Sequence, residues 1–428
     1  MKMFAYSPKT EFLQPDDIKM LQTQLLKRHL VYCQERSPFY REVLKDISID
    51  DISIDDISLL PFTEKEDILL DWQRFAACSP EEVSDIVFTS GSTGKPGRFV
   101  YTQQDLLRNS YNEERCYKIA GVSERDTILL TCTLDRCFIA GIAYYTGGIK
   151  AGAAVLRNGL SSIESHLWII REAAPTVIVG IATFLVKLAE HAQKAGIDLG
   201  CIQRIICVGE PIKNNDFSFN GIGQRLHELF PHAQLFATYA STEIATSFAE
   251  CEFHQGGHVP ADLAYAEIID DNGKILPPGE IGEVVVTPFS VSGMPLLRYK
   301  TGDMSFMTYE RCGCGRFIPR IGPIVGRKKH LLKYKGTSIY PQVIFNTVTA
   351  IPGVDNYYVI AGGSDLSDDI TVFVSVNDDS LTADCIRQKL QVTCRANIPV
   401  KIVSSQEAAE MIFGRSRKPQ HFFDKRTL

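Results

Sequence analysis

The sequence predicts a two-domain α/β protein. A large N-terminal α/β domain should carry mostly parallel sheets and a β-rich subdomain, and a small α+β domain should follow at the C-terminus. Three observations carry this reading. Between about residues 84 and 210, apolar strand runs alternate with amphipathic stretches, the rhythm of a parallel sheet flanked by helices. After about residue 260 the rhythm changes to strands separated by turn signals. The chain, at 428 residues, is also longer than the ~250–300 residues at which one core stops growing.

The elements follow in order. Ile18, Leu21, Leu25 and Leu30 recur at helical spacing and stop near Ser37-Pro38, so the first forty-odd residues predict a surface helix packed on a larger body. A tandem run follows: Asp46-Ile47-Ser48-Ile49-Asp50, Asp51-Ile52-Ser53-Ile54-Asp55 and Asp56-Ile57-Ser58-Leu59-Leu60. Its period is far below the ~20 residues of a solenoid unit, and it reads as a duplicated loop. Buried-strand runs come at Ile86-Val87-Phe88, 127–130, 153–156, 176–179 and 204–208, with an amphipathic stretch from Phe184 to Ala195. The β-rich part starts at 265–269, turns at Asp271-Asn272-Gly273-Lys274 and continues at 282–286. Two apolar strands at 357–361 and 370–376, then a helix from Thr382 to Arg395, predict the separate C-terminal unit.

Charge and composition exclude several classes. Lys+Arg 45 against Asp+Glu 51 leaves a net charge of −6, so there is no overall positive field to hold a nucleic acid. No run approaches the ~18 apolar residues of a membrane span, and the first residues lack a secretory pattern. A cytoplasmic protein without a membrane partner is expected. There, most of its twelve cysteines should be thiols or metal ligands, and several, such as Cys201 and Cys207, small core residues.

The most informative motif is the stretch Phe88-Thr89-Ser90-Gly91-Ser92-Thr93-Gly94-Lys95-Pro96-Gly97, which follows a strand. Hydroxyls, backbone N–H groups and one lysine there can wrap a phosphate chain. It is not a Walker A loop, which reads G-x-x-x-x-G-K-[ST]. Only Ser92 and Thr93 separate Gly91 from Gly94, and Pro96 follows Lys95.

Three further stretches complete a pattern: Tyr239-Ala240-Ser241-Thr242-Glu243, Arg298-Tyr299-Lys300-Thr301-Gly302-Asp303, and Gly326-Arg327-Lys328-Lys329 continuing to 335–341. Together with the Ser/Gly/Thr loop, in this order, they resemble the signatures of the AMP-forming acyl-adenylating superfamily. The segment Pro61-Phe62-Thr63-Glu64-Lys65, the insert Cys312-Gly313-Cys314-Gly315-Arg316 and the ending Ile339-Tyr340-Pro341 are most similar to its phenylacetate-coenzyme A ligase branch. The resemblance implies an ATP-dependent ligase that converts a carboxylic acid to acyl-AMP, then passes the acyl group to coenzyme A. It also implies an aromatic, phenylacetate-like acid. Two alternatives stay open: transfer to a carrier-protein thiol or an amine, and a catalytically silent nucleotide-binding homologue.

The resemblance assigns roles residue by residue. Ser90, Gly91, Ser92, Thr93, Gly94 and Lys95 would hold the ATP phosphates. Tyr239, Ala240 and Ser241 on one side, with Gly209, Glu210 and Pro211 on the other, would enclose adenine. Thr242 would contact the α-phosphate, Glu243 would ligate Mg²⁺, and Asp303 would take the ribose hydroxyls with Arg327 nearby. The terminal stretch carrying Lys418 would place that lysine against the reacting carboxylate and α-phosphate. The acid would lie against Phe138, Ile139, Tyr145, Ala237 and Thr238. The domains would be 1–326 and 327–428, the second mobile about a hinge near Lys329. Departures from the usual pattern at Lys329-His330 and Phe345 bear on thioester formation rather than adenylation. Separately, Cys251, His258, Cys312 and Cys314 have the composition of a structural Zn²⁺ site, with His254 as a rival ligand to His258. A homodimer stays open.

Overall fold

The computed structural model describes residues 7–89, 96–335, 337–364, 367–378, 380–414 and 419–426. Five strands, Ala154–Arg157, Thr127–Leu130, Val177–Gly180, Arg204–Val208 and Gln234–Ser241, lie parallel in that spatial order. The sheet then continues antiparallel through Thr246–Ala249, Gly257–His258, Arg320–Ile321 and Met307–Thr308. The central strands are apolar on both faces, as a sheet covered on both sides must be. Leu129, Ile178, Ile205 and Leu235 pack on one side under the helices Ala182–Ala195 and Gly221–Leu229. Ile128, Val177, Val179 and Phe236 pack on the other with Tyr117 and Tyr144.

One expected member of this sheet is elsewhere. The Ile86-Val87-Phe88 run belongs to the strand Val83–Phe88, which pairs antiparallel with Arg98–Thr102 in a sheet of its own. Of those three residues only Val87 is buried, and Ile86 is 38% exposed. The short connection explains the pairing, because parallel partners need a long crossover and antiparallel ones do not. Its base is tied by Thr89 N–H to the Gly97 carbonyl and by Gly97 N–H to Thr89 Oγ1, both at 2.9 Å.

The β-rich part is a second sheet of Ala264–Ile269, Gly282–Pro288, Tyr299–Ser305 and Gly326–Arg327, antiparallel throughout. Asp270 makes its turn: the carboxylate accepts from the backbone N–H of Asn272 and of Lys274, and Gly273 takes φ +81°. Residues after the Gly326–Arg327 strand form a sheet ordered Val400–Ile402, Ser367–Val376, Val354–Ser364 and Phe422–Asp424. It packs with the helices Pro341–Thr349 and Ala383–Cys394 around a core of its own that includes Ile344, Val359, Val372 and Leu390. No helix among the described residues is long and apolar enough to cross a membrane.

The N-terminal helix runs Pro15–Arg36 and buries Ile18, Leu25, Leu26, Leu30 and Cys33. Much of its partner surface comes from residues 264–299, and His29 Nε2 lies 2.9 Å from the Leu296 carbonyl oxygen. The tandem run is two short 3₁₀ turns, Ile49–Asp51 and Ile54–Leu59, with Ile52, Ile54, Ile57 and Leu60 in the same core. The aspartates face outward or cap, as Asp56 does by accepting from Ser53 N–H.

A buried ionic knot fastens the first turn, Pro8–Phe12. The Glu11 carboxylate pairs with Arg115 and with Arg316 Nε at 2.6 Å. Arg115 also pairs with Asp262, which accepts from Tyr111 Oη at 2.9 Å. Burial would raise the Glu11 carboxyl, but Arg115 and Arg316 outweigh it and hold it below its ordinary 4.5. A depressed carboxyl contributes stability that is present above its unfolded value and lost as pH falls through the folded one. Glu11→Gln should therefore cost about 3 kcal/mol at neutral pH, as for a broken buried pair, and the deficit should shrink below about pH 4.5. Denaturant unfolding at pH 7 and pH 3 checks this, and an equal deficit at both values contradicts it.

Candidate functional site

The C-terminal ends of the Arg204–Val208 and Gln234–Ser241 strands open onto a cavity of about 1080 Å³. The sheet turns from parallel to antiparallel just past this point, the place where open α/β sheets form binding crevices. Gly209, Glu210, Pro211, Ala237, Thr238, Tyr239 and Ala240 line it from the large sheet, and Asp303 and Arg327 from the second sheet. Phe345, Tyr357, Pro419, Gln420 and His421 line it from the C-terminal unit.

Asp303 is the best-defined side chain in it. Its two carboxylate oxygens accept from Tyr239 Oη at 3.0 Å and from Arg327 Nε at 3.1 Å. Asp303 and Arg327 are opposite one another on paired strands, so the register brings them together. Burial raises the Asp303 carboxyl, against the pull of the Arg327 guanidinium. Each oxygen keeps a second lone pair for a ligand hydroxyl.

The segment leading to Asp303 is anchored at Arg298, one of the most buried side chains. Its guanidinium grips Glu267 through Nε at 3.1 Å and Nη2 at 2.8 Å, and donates through Nη1 to the carbonyls of Ser58 and Leu60. The Phe62 ring stacks below Arg298 at 4.0 Å, and Lys300 N–H donates to the Thr63 carbonyl at 2.9 Å. The 61–65 segment is thus a brace for this strand. Arg108 braces the next segment, donating to the carbonyls of Ala245, Phe289 and Leu263 and to Thr246 Oγ1. Burial pushes Arg108 down to about 10. Tyr101 Oη donates to the Thr242 carbonyl at 2.7 Å, so Thr242 and Glu243 sit on a pinned turn. Glu243 is half-buried, and its charge acts on both Asp303 and Arg327.

Glu210 has a second task. It accepts from Thr183 N–H at 2.9 Å and Thr183 Oγ1 at 3.0 Å, capping the helix Ala182–Ala195. That bond fixes Gly209-Glu210-Pro211 against the sheet, and Gly209, at φ +75°, turns the chain out of the buried strand. Sequence reasoning missed Arg108, Tyr101 and Thr183, and it placed Arg298 in a motif without the bracing role it has here. The burial of Arg108, Tyr101 and Arg298 and the distant partners of all four are tertiary facts that no local pattern carries.

The remaining site residues divide. Ser90, Gly91, Ser92, Thr93, Gly94, Lys95 and Lys418 lie outside the described residues, but Thr89, Pro96 and Pro419 beside them line the same cavity. Ser241 Oγ accepts from Ile244 N–H at 3.4 Å. Ala237 and Thr238 line the cavity, and the buried Thr238 Oγ1 has no hydrogen-bond partner among the described residues. Phe138, Ile139 and Tyr145 are not among the residues lining it. Ile139 is packed in the core, because the helix Ile139–Ala151 turns it inward, and the Tyr145 ring lies 4.9 Å from the Arg157 guanidinium. Lys329, at the expected hinge, pairs with Glu66, and Lys328 with Asp271 and Glu283.

Away from the cavity, Cys251, His258, Cys312 and Cys314 converge with their ligand atoms all within 4.8 Å of one another. Cys251 and Cys312 sulfurs are 3.6 Å apart, and His258 Nε2 lies 3.4 Å from Cys251 and 3.6 Å from Cys314. A tetrahedral ion with metal–sulfur bonds of ~2.3 Å sets its sulfurs about 3.8 Å apart. His254 is turned to Glu250 and Phe236 instead. Burial raises the Cys251 thiol. At Cys314 burial is outweighed by hydrogen bonding to His258 and Arg316, which brings the thiol down to about 5.

Comparison with known proteins agrees with this geometry. The family model of AMP-binding enzymes matches residues 15–293. The phenylacetate-coenzyme A ligase of Thermus thermophilus is 31% identical over 369 residues, 83% of this chain and 80% of that one. The phenylacetate-coenzyme A ligase of Escherichia coli is 26% identical over 378 residues, 86% and 84% of the two chains. The crystal structure of 2-hydroxyisobutyryl-CoA ligase in the postadenylation state with 2-HIB-AMP shares the fold, with a TM-score of 0.86 at 18% identity over 98% of this chain and 92% of that one. By the family model that matches most of its length and by these relatives, the chain belongs to the AMP-binding enzyme family, in the branch of the phenylacetate-coenzyme A ligases.

Proposed function

We propose that this protein is an ATP-dependent, AMP-forming acid–coenzyme A ligase acting on an aromatic, phenylacetate-like acid. The observation that carries the reading is the shared cavity. Asp303 and Tyr239 face it together with residues flanking both the Ser/Gly/Thr loop and Lys418.

In the first half-reaction a carboxylate oxygen of the acid bonds to the α-phosphorus of ATP, and the bond to the bridging oxygen breaks to release pyrophosphate. In the second, the coenzyme A sulfur bonds to the acyl carbon and AMP leaves. In this reading Asp303 accepts from the ribose hydroxyls, Tyr239 covers adenine, and the 209–211 segment closes its far side. Residues 90–95 hold the outer phosphates, Thr242 meets the α-phosphate, and Lys418 follows charge from carboxylate to phosphate. Glu243 offers the hard carboxylate oxygen that Mg²⁺ takes, and that ion would neutralise phosphate charge. The acid lies against Ala237 and Thr238, which line the cavity beside Tyr239.

The same reading makes 327–428 a mobile domain hinged near Lys329, since a few residues suffice for such a pivot. It also gives Cys251, His258, Cys312 and Cys314 a structural Zn²⁺. The sulfur and nitrogen donors and their spacing fit that ion, which would hold the 312–316 loop to the 251–258 segment of the same domain.

Three outcomes are expected. Pyrophosphate exchange into ATP should depend on an aromatic acid from a panel that includes phenylacetate, and AMP should be released when coenzyme A is added. Exchange without a coenzyme A response would move the acceptor to a carrier thiol or an amine, and no exchange with any acid would leave a silent homologue. Lys418→Ala should lower adenylation about 10²-fold or more while sparing thioester formation from preformed adenylate, since it removes a transition-state donor. Equal loss in both halves would take that role from it. Elemental analysis should find one zinc per chain, lost in Cys312→Ser together with thermal stability but without a change in the KM for ATP. A wild-type protein free of zinc and indifferent to chelators would refute the site.

A further inference from the structure

The small domain does not merely approach the large one. It rests on it at a point that admits no side chain. Gly221 is the first residue of the helix Gly221–Leu229 in the large domain, whose N-cap Asn220 accepts from Gly223 N–H at 3.0 Å. The helix Pro341–Thr349 of the C-terminal unit ends against it. A Cβ built on Gly221 would lie 2.5 Å from the Asn346 carbonyl oxygen, 2.5 Å from Ala350 Cβ and 3.4 Å from Ala350 Cα. Beyond its chain neighbours and its own helix backbone, all three nearest atoms come from the small domain. Gly221 does not need the left-handed backbone region, since its φ is not positive. The close approach of the small domain is therefore the feature at this position that glycine accommodates and a side chain would not.

The contact is also electrostatically complementary. The positive end of one helix dipole meets the carbonyl end of the other. Beside it, Lys187 on the helix Ala182–Ala195 donates to Asn356 Oδ1 of the small domain at 2.7 Å. Asn356 is itself fixed by Ser375 Oγ, which accepts from its backbone N–H at 3.1 Å. In this arrangement Pro419, Gln420 and His421, the residues that follow Lys418, reach the cavity that holds Asp303.

We propose that Gly221 is a positioning residue for adenylate formation: the missing side chain lets the small domain seat deeply enough to bring Pro419, Gln420 and His421 to the cavity, with the Lys187–Asn356 bond holding the seat. This rests on the ligase reading above, in which the two half-reactions use different placements of the small domain. Any side chain at 221 then acts on one placement only. Adenylation needs the seat, and thioester formation proceeds with the two helices apart.

The test uses the full chain with Gly221→Ala and Gly221→Leu. The leucine variant should lose roughly tenfold in phenylacetate-dependent pyrophosphate exchange, the factor that an ordinary overpacking cost removes from a seated population, and alanine should lose less. Thioester formation from synthetic phenylacetyl-adenylate and coenzyme A should stay within about twofold of wild type, since the seat is not needed there. Small-angle scattering of the unliganded chain should show the leucine variant more open than wild type, with both variants melting as wild type does. A parallel loss in both half-reactions, or an unchanged scattering curve, overturns the proposal. If wild type itself exchanges nothing, the ligase reading falls, and scattering alone still decides whether Gly221 seats the small domain.

Discussion

The site depends on a carboxylate held between a phenol and a guanidinium. Asp303 belongs to the second sheet, Tyr239 to the large one, and Arg327 to the last strand before the C-terminal unit. A buried carboxylate is costly unless paired, so its two donors must be in place together. The contact therefore fixes the spacing of the two sheets and the departure point of the small domain. The cavity is the space left between these three elements.

The same economy recurs behind the cavity. Arg298 and Arg108 are wholly buried and contact no ligand-facing surface, yet each fixes one segment that does. A guanidinium has five donors in a rigid plane and can satisfy several backbone carbonyls at once. Arg108 does this for the segment after Glu243, and Arg298 for the strand that presents Asp303. Glu210 works in the opposite sense, using its negative charge on a helix N-terminus to hold the far wall of the cavity. Precision at the site thus comes from charges placed where water cannot loosen them.

Much of this was legible in the sequence. The parallel strands and the β-rich part appear within a residue or two of their apolar runs, and the C-terminal strands within three, because alternation and helical period are local signals. Tyr239, Asp303, Arg327 and the 209–211 segment fall on one cavity, as motif order implied. What was not legible is tertiary. The apolar triplet Ile86-Val87-Phe88 looks like a core strand, but its fate depended on which strand it met. Ile139 looks like a pocket residue until the turn of its helix points it into the core. The choice of His258 over His254 rested on a pairing between distant strands, Gly257–His258 and Arg320–Ile321, that no local pattern encodes.

The ionic knot at Glu11 joins the start of the chain to Arg115, and to Arg316 some three hundred positions later. The N-terminal helix behind it leans on residues near 296, which are equally late. During synthesis the first forty residues therefore emerge long before the surfaces that will cover them exist. Contacts of such wide separation make closure of the large domain slow, and leave Leu25, Leu26 and Leu30 in water until most of the chain has been made.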